Sequence, residues 1–191
     1  MGGEEERPQA ERMLRDAGAL LEGHFQLSSG KHSSLYVEKF RLLEQPPQTE
    51  ALCRMIADWA QPLRTQVVVG PTTGGIVISY EVARQLGVRS IFAETVDGQA
   101  GRAFQRGFTI APKERTLVVD DVLTTGGSVR DVLDAVRATS GEVAGVAVLI
   151  DRTGGTADFG VPFFACLTLD LPSYEPAGCA LCAEGVPLKI T

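Results

Sequence analysis

Residues 116–129, TLVVDDVLTTGGSV, decide the fold of this 191-residue chain. The apolar run 117–119 is typical of a buried strand in a parallel sheet, and Asp120 and Asp121 follow at its carboxyl end. A loop of hydroxyl residues and glycines comes next, and then apolar residues recur at helical spacing. The order of strand, loop and helix predicts an α/β protein with this loop at the edge of its sheet.

The loop after the acidic pair has the chemistry of a phosphate site. Gly126 and Gly127 let the backbone approach an anion closely. Thr124, Thr125 and Ser128 supply hydroxyl groups, and the start of the helix supplies unpaired N–H groups with a partial positive charge. An ordinary strand–turn–helix would use these residues only to cap its helix.

The two acids, Asp120 and Asp121, indicate a second kind of ligand group. Helix capping needs one side-chain acceptor, so it leaves the second acid unexplained. Carboxylates would repel a phosphate, but they suit sugar hydroxyls or a hydrated cation. A ligand that carries a phosphate and a diol a few ångströms apart fits both ends of the stretch, and ribose 5-phosphate is such a ligand.

A second strand, glycine loop and helix occur earlier in the chain. The strand 67–69 is VVV, the loop 70–75 is GPTTGG, and the helical pattern runs from Ile76 to about Leu86. Because parallel strands carry such loops on one edge of the sheet, we expect the two loops to face two separated anionic groups. The loop residues with a hydroxyl group or no side chain are Gly70, Thr72, Thr73, Gly74 and Gly75.

Composition argues against several classes of function. The net charge of −6, with no basic run, argues against a nucleic-acid surface. No apolar stretch reaches membrane-spanning length, and residues 1–15 are too polar for a signal peptide. These features predict a cytoplasmic enzyme.

The cysteines give no complete metal-binding motif in the sequence. Cys179 and Cys182 form one CxxC pair, no second pair occurs, and His24 and His32 lie far away along the chain. We therefore predict a structural or incidental role for the pair, with metal binding or redox chemistry as the alternative.

Hydrophobic spacing predicts the remaining elements. A helix is expected over 10–21 with Gly23 as its stop, and two short strands flank the turn 28–30. The tail 171–191 contains three prolines and is predicted to be irregular. Further along, the pattern predicts a helix over 46–60, strands over 88–93, 143–150 and 163–169, and a hairpin over 94–106 followed by an extended segment at 108–110.

Several blocks of the sequence together resemble one enzyme family. Residues 120–128 resemble the motif with which type I phosphoribosyltransferases bind 5-phosphoribosyl-1-pyrophosphate (PRPP). The order of blocks from about residue 20 to residue 152 is similar to that of orotate phosphoribosyltransferase. The first block discriminates best, because purine and uracil phosphoribosyltransferases lack it. The blocks are GHFQLSSGKHS (23–33), GPTTGGI (70–76), FAET (92–95), QRGF (105–108), VVDDVLTTGGSV (118–129) and LIDRTGG (149–155).

The resemblance implies a type I phosphoribosyltransferase fold, with a twisted, mostly parallel sheet flanked by helices. One domain would span residues 1–191, with its core at about 45–169 and a small hood from about 1–40 and 170–191. The implied reaction joins orotate to PRPP and yields orotidine 5′-monophosphate and pyrophosphate, with Mg²⁺ held mainly by PRPP and water. A homodimer is implied as well, with the hairpin 94–106 closing over the neighbouring subunit's site.

The resemblance also assigns roles to individual residues. Carboxylates near the ribose would stabilise the positive charge that builds up as pyrophosphate leaves, and arginines would stabilise the leaving group. The implied catalytic residues are Asp120, Asp121, Arg102 and Arg106; the 5-phosphate site is Thr124, Thr125, Gly126, Gly127 and Ser128; the pyrophosphate loop is Thr72, Thr73, Gly74 and Gly75; and the orotate site is Ser28, Lys31, Tyr36, Thr124 and Arg152.

The hairpin departs from the family pattern in its charges. Many members have a basic residue where this chain has Thr95, and paired basic residues where it has Gln105 and Arg106. Some members have a lysine in the pyrophosphate loop where this chain has Gly74. Arg102 and Arg106 are therefore the only cations of the hairpin.

Two other functions stay open at this point. Transfer to a purine base would use an aromatic residue that stacks on the base, and Phe163 and Phe164 are candidates, although their position in a strand favours core packing. A non-catalytic PRPP-sensing regulator would need a nucleic-acid surface or an added domain. The acidic charge and the absence of a spare domain count against that function.

Overall fold

The computed structural model describes residues 3–27, 29–98 and 100–191. Single 3₁₀ turns lie at Gln61–Leu63 and Pro176–Gly178. In chain order the elements are α1 (Gly3–Asp16), β1 (Leu20–Gln26), β2 (His32–Val37), α2 (Lys39–Leu43), α3 (Pro46–Ala60), β3 (Val67–Pro71), α4 (Gly74–Leu86), β4 (Arg89–Thr95), β5 (Arg102–Ala103), β6 (Arg115–Leu123), α5 (Gly127–Ala138), β7 (Glu142–Asp151), β8 (Phe163–Thr168), α6 (Ala180–Ala183) and β9 (Lys189–Ile190).

The main sheet has the strand order β5-β4-β3-β6-β7-β8, and its neighbours are parallel except β4 and β5. Helices α1, α3 and α4 pack on one face, and α5 packs on the other. Successive side chains of a strand point to opposite faces of the sheet. Val68 therefore lies in the core on the side of α1, α3 and α4, and Val67 and Val69 lie in the core on the side of α5. This architecture confirms the predicted fold class.

The helix predicted over 46–60 is confirmed as α3, which begins with two prolines. Proline is well tolerated there because the first N–H groups of a helix have no intrahelical partner. Leu52 and Ile56 lie on the inner face of this helix and are fully buried, as the spacing of apolar residues indicated. Among the described helices, none combines the length and apolar character that a bilayer span requires.

The first helix ends earlier than the sequence predicts. The spacing indicated a helix over 10–21 that stops at Gly23, whereas Gly18, with φ +62°, already ends α1. Its N–H donates back to a carbonyl of the last helical turn, as in a glycine C-cap. Leu20 and Leu21 then belong to β1, where pairing with β2 satisfies their backbone groups. The spacing of Leu20 and Leu21 fits a helix and a strand equally well. Only the position of the glycine cap decides whether these two residues belong to the helix or to the strand.

A second, small sheet joins the two ends of the chain in the order β2-β1-β9. β1 pairs with β2 in antiparallel fashion and with β9 in parallel. The tail is thus not wholly irregular, and a bridge between His32 and Tyr174 fastens it to β2 as well. This sheet places its residues next to the carboxyl ends of the main-sheet strands, where the cavity described below lies.

The predicted hairpin is present as β4 and β5, which pair at Glu94 with Ala103 and at Thr95 with Arg102. The extended segment predicted at 108–110 is not a strand. Its apolar residues pack instead, since Ile110 is buried in the core beside α5.

Candidate active site

A cavity of about 750 Å³ lies at the carboxyl ends of β3, β6 and β7, between the two sheets. Strand ends on one edge of a parallel sheet are the usual place for ligands in such folds. The cavity brings together most of the residues that were predicted to form the site, from both glycine loops and from the small sheet. The predicted residues that line it are Tyr36, Thr72, Thr73, Gly74, Asp120, Asp121, Thr124, Thr125, Ser128 and Arg152.

The predicted phosphate loop joins β6 to α5. β6 continues through both acids to Leu123, so the acids lie within the strand and not after its end. Gly126 caps the helix with φ +80°, a conformation that side chains rarely adopt. The guanidinium of Arg130 donates to the Thr125 carbonyl oxygen at 2.7 Å and lies where a side chain at position 126 would stand. The loop therefore holds a fixed shape, and the first N–H groups of α5 are free for an anion.

The two acids of β6 have different surroundings. Asp121 accepts a hydrogen bond from the Val122 N–H at 2.6 Å, and its two oxygens lie 3.1 and 2.9 Å from Lys39 Nζ. Asp120 accepts from the Asp121 N–H at 2.8 Å. Burial, and next to it the charge of Asp121, raises the pKa of Asp120 to about 7. The pair thus carries less negative charge at neutral pH than two exposed aspartates would.

Lys39 is a site residue that was not among those predicted from the sequence. It begins α2 directly after the small sheet, and its ammonium group lines the cavity beside Asp121. The available signal was weak, because the lysine is separated from Asp121 by 82 positions in the chain. Only the packing of the small sheet over the strand ends brings the two together.

The predicted pyrophosphate loop is compact because its glycines touch other backbone. A Cβ atom on Gly70 would lie 2.1 Å from the Gly75 carbonyl oxygen. A Cβ atom on Gly74 would lie 1.7 Å from Asp121 Oδ2, so the loop lies directly against the acidic pair. The peptide bond between Thr72 and Thr73 is cis. No side chain within the described ranges caps the start of α4, which leaves its first N–H groups available to an anion.

The two arginines of the hairpin have different partners in the structure. Arg102 donates from Nη1 to the Thr72 hydroxyl at 2.8 Å and to the Ala93 carbonyl oxygen at 3.3 Å, so it reaches the pyrophosphate loop of its own chain. Arg106 instead forms a two-bond ion pair with Glu94, at 2.8 and 2.9 Å, and lies outside the cavity lining. The catalytic role predicted for Arg102 therefore has a geometric basis that the role predicted for Arg106 lacks.

The predicted orotate end of the cavity centres on Arg152 and Tyr36. Burial lowers the pKa of Arg152, and its Nε atom is buried without a hydrogen-bond partner among the described residues. A half-buried guanidinium with an unused donor is a site for a planar anion such as a carboxylate. Tyr36 lies nearby with its ring stacked on Phe25 at 5.5 Å, which fixes its orientation.

The turn before β2 agrees less well with the prediction. Lys31 pairs with Glu175 at 3.0 Å and does not line the cavity. Ser29 lines the cavity instead, and Ser28 lies outside the described residues. The orotate roles of Lys31 and Ser28 thus stay predictions.

The aromatic residues considered for a purine base pack in the core. Phe164 stacks on Trp59 with ring centres 5.4 Å apart, and Phe163 contacts Phe159 edge to face at 5.4 Å. The core packing that their position in a strand favoured is therefore confirmed. Neither ring lines the cavity.

Comparison with known proteins identifies the family. The model of the phosphoribosyl transferase domain matches residues 43–170. The orotate phosphoribosyltransferase of Pelotomaculum thermopropionicum is 49% identical over 92% of this chain and 91% of its own length. That of Thermotoga maritima is 46% identical over 93% of this chain and 94% of its own length.

Solved structures give the same assignment for the fold. Orotate phosphoribosyltransferase from Aeropyrum pernix superposes with a TM-score of 0.72 at 29% identity, over 83% of this chain and 92% of that chain. An adenine phosphoribosyltransferase from Thermoanaerobacter pseudethanolicus reaches 0.68 at 14% identity, over 85% of this chain and 99% of that chain, which shows a shared fold alone. With curated relatives at nearly half identity over almost its whole length, the chain belongs to the orotate phosphoribosyltransferases of the type I phosphoribosyltransferase family.

Proposed function

We propose that this protein transfers the 5-phosphoribosyl group of PRPP to orotate, releasing pyrophosphate and forming orotidine 5′-monophosphate. One observation carries the assignment: two glycine-containing loops and a half-buried arginine surround one acidic pair in a single cavity. The loop 124–128 would hold the 5-phosphate and the loop 72–75 the pyrophosphate, with the ribose between them. Arg152 would then pair with the carboxylate of orotate.

The chemistry requires charge stabilisation more than a nucleophile. As pyrophosphate leaves, positive charge develops on the ribose at its anomeric carbon. Asp120 and Asp121 would stabilise that charge, and Lys39 holds Asp121 in place through its ion pair. Arg102 would stabilise negative charge on the leaving group from its position at Thr72.

The donor atoms of the site suit Mg²⁺ as part of this proposal. Carboxylate oxygens are hard ligands, but Lys39 and the Val122 N–H already engage Asp121, and the Asp121 N–H engages Asp120. The pair therefore fits a hydrated ion that takes its other ligands from PRPP and water, as Mg²⁺ usually does. When bound, Mg²⁺ would neutralise charge on the pyrophosphate.

We further propose a homodimer whose contact begins at the rim of the cavity. Phe40, Val77 and Tyr80 are 52%, 43% and 66% exposed, a high value for large apolar residues. Phe40 also lines the cavity, so a second copy on this patch could bring its hairpin to the site. Arg102 would keep its contact with Thr72 of its own chain. Light scattering is expected to give the mass of two chains, and Tyr80→Asp to shift it toward one.

A cytoplasmic location belongs to the same proposal. Cys53, Cys179 and Cys182 carry free thiols, as is usual for proteins of a reducing compartment.

Arg102→Ala is expected to lower kcat by about 10²-fold, the scale of one lost charge-stabilising donor. The protein should stay folded, because the hydrogen bonds of the Arg102 side chain go to the Thr72 hydroxyl and to the Ala93 carbonyl oxygen, at the edge of the main sheet. Steady-state kinetics at saturating orotate and PRPP measure the effect. Arg137→Ala is the matched control, since Arg137 is an exposed arginine on α5 whose ion pair among the described residues is with Asp134. Equal kcat for Arg102→Ala and wild type would contradict the role.

The rate is expected to depend on pH through Asp120, whose pKa is raised to about 7. The ionised form stabilises the ribose cation, so kcat/KM for PRPP should fall as the pH drops through this value. The charge of Lys39 lowers the pKa of Asp120, so Lys39→Met should move the acidic limb to higher pH. Arg137→Ala should leave the limb in place. A limb that moves to lower pH in Lys39→Met would refute this assignment.

The base specificity is tested by incubation with PRPP, Mg²⁺ and a panel of orotate, uracil, hypoxanthine, xanthine and adenine, with pyrophosphate release as the readout. Turnover of orotate is expected. Turnover of a purine without orotate would overturn the choice of base. PRPP binding with no turnover of any base would favour the non-catalytic regulator.

A further inference from the structure

Four potential metal ligands meet at one end of the small sheet, and none of the four lines the substrate cavity. They are His24 on β1, His32 at the start of β2, and Cys179 and Cys182 in the tail. Their ligand atoms all lie within 4.8 Å of one another. No spacing along the chain links the CxxC pair to either histidine, yet the fold brings both histidines to it.

The spacing of the ligand atoms is close to that of a tetrahedral metal site. Zinc bonds of about 2.0 Å to nitrogen and 2.3 Å to sulfur place tetrahedral ligands about 3.3 to 3.8 Å apart. His24 Nε2 lies 3.0 Å from His32 Nδ1, 3.5 Å from Cys179 Sγ and 3.7 Å from Cys182 Sγ. Cys182 Sγ lies 3.2 Å from His32 Nδ1. Small movements of the side chains would bring all four to bonding distance of one ion.

A cation would use this arrangement more fully than hydrogen bonds among the four groups. His24 Nδ1 lies 2.8 Å from the Val186 carbonyl oxygen, which can only accept, so Nδ1 donates in this pair and Nε2 is the ring nitrogen that faces the other three ligand atoms. Those three atoms surround Nε2. One ring nitrogen makes one well-aligned hydrogen bond, whereas a cation uses the lone pairs of all four atoms at once.

We propose that His24, His32, Cys179 and Cys182 bind one structural Zn²⁺ ion in a Cys₂His₂ site. Both cysteines are free, and binding would release their thiol protons. The carbonyl of Val186 supplies the outer hydrogen bond that orients His24, as is usual for zinc-bound histidines. Four protein ligands close the site, so it has no open position for catalysis. Cys182 is exposed and gives the ion a path of entry.

The site would fasten the tail to the sheet that covers the substrate cavity. Ser173 and Thr191 of the tail line that cavity, and Thr191 donates its hydroxyl to the Gln26 carbonyl oxygen of β1. The metal would join β1, β2 and the tail at a further point. Its loss is therefore expected to loosen the small sheet and to raise KM for orotate more than it lowers kcat.

The test starts from full-length protein, purified under reducing conditions and dialysed against a chelator, then supplied with Zn²⁺ or Co²⁺. Elemental analysis should find one zinc ion per chain, and Co²⁺ should give the intense visible absorption of tetrahedral cobalt with thiolate ligands. Cys182→Ala, at an exposed position, should lose more affinity than the roughly 10–100-fold that an outer-shell change costs. Cys53→Ala, which removes a buried thiol elsewhere, is the matched control and should keep the metal.

Three results would overturn the proposal: no stoichiometric zinc and no thiolate absorption with cobalt, a Cys179–Cys182 disulfide in the purified protein, or equal metal loss in both cysteine variants. If Cys182→Ala fails to fold, the cobalt spectrum of the wild-type protein still decides. Added chelator should also lower the Tm of the wild type and leave that of Cys182→Ala unchanged. None of these readouts depends on orotate as the substrate.

Discussion

Asp121→Asn is expected to lower kcat by about 10²–10³-fold, the range seen when a preorganised stabilising group is removed, with little change in the Kd for PRPP. The asparagine has the same shape, and its one carbonyl oxygen can still accept from Lys39 and the Val122 N–H, as Oδ1 of Asp121 does in the wild type. What it removes is the negative charge beside the ribose. Because that charge matters most when the ribose becomes cationic, the loss should fall on turnover and not on binding.

Pre-steady-state turnover and equilibrium binding of PRPP separate the two effects. Asp134→Asn serves as the control, since Asp134 is an exposed acid on α5 that, in the described part of the chain, forms its ion pair with Arg137. An unchanged kcat in Asp121→Asn would remove the mechanism proposed for the acidic pair. A large loss of PRPP affinity with normal kcat would instead make Asp121 a binding residue.

Gly74→Ala is expected to lower kcat/KM for PRPP by about 10²-fold, the scale at which small displacements at an active site act. The added methyl group would stand 1.7 Å from Asp121 Oδ2 and 3.4 Å from Leu43 Cδ1. Real atoms cannot approach so closely, so either the pyrophosphate loop or Asp121 must move. Either movement would separate the groups that act at the two sides of the anomeric carbon.

The matched control is Gly178→Ala, because an added Cβ there meets no atom within 4 Å and its φ lies outside the left-handed region. It should leave the kinetics unchanged. Combined with Asp121→Asn, Gly74→Ala should cost little more than Asp121→Asn alone, since both act on the same carboxylate. Wild-type kinetics in Gly74→Ala, or full additivity in the double variant, would show that the loop and the acid act independently.

The parts of the fold that could be predicted are those specified by local sequence. Apolar runs such as 67–69 and 117–119 are too short and continuous to be anything but buried strands beside their glycine loops. The Pro-Pro start of α3 and the loop 124–128 carry their own conformational signals. Gly18 shows the limit of this reasoning. Either Gly18 or Gly23 could end α1, and local sequence does not indicate which of the two does so.

The parts that could not be predicted depend on contacts between distant segments. Lys39 meets Asp121 across the cavity, and His24 meets Cys179 across 155 positions of sequence. No periodicity or spacing links such residues. Lys31 was expected at the ligand but pairs with Glu175, because the tail returns beside the turn that carries it. Side-chain partners at the small sheet are thus set by the path of the tail.

The central claim is that one edge of the sheet holds both charged ends of PRPP around the acidic pair. A crystal structure with PRPP and Mg²⁺ tests it most directly. We predict the 5-phosphate at residues 124–128, the pyrophosphate at residues 72–75, and the ribose hydroxyls at Asp120 and Asp121. PRPP bound elsewhere, or with its pyrophosphate away from the loop 72–75, would contradict the account.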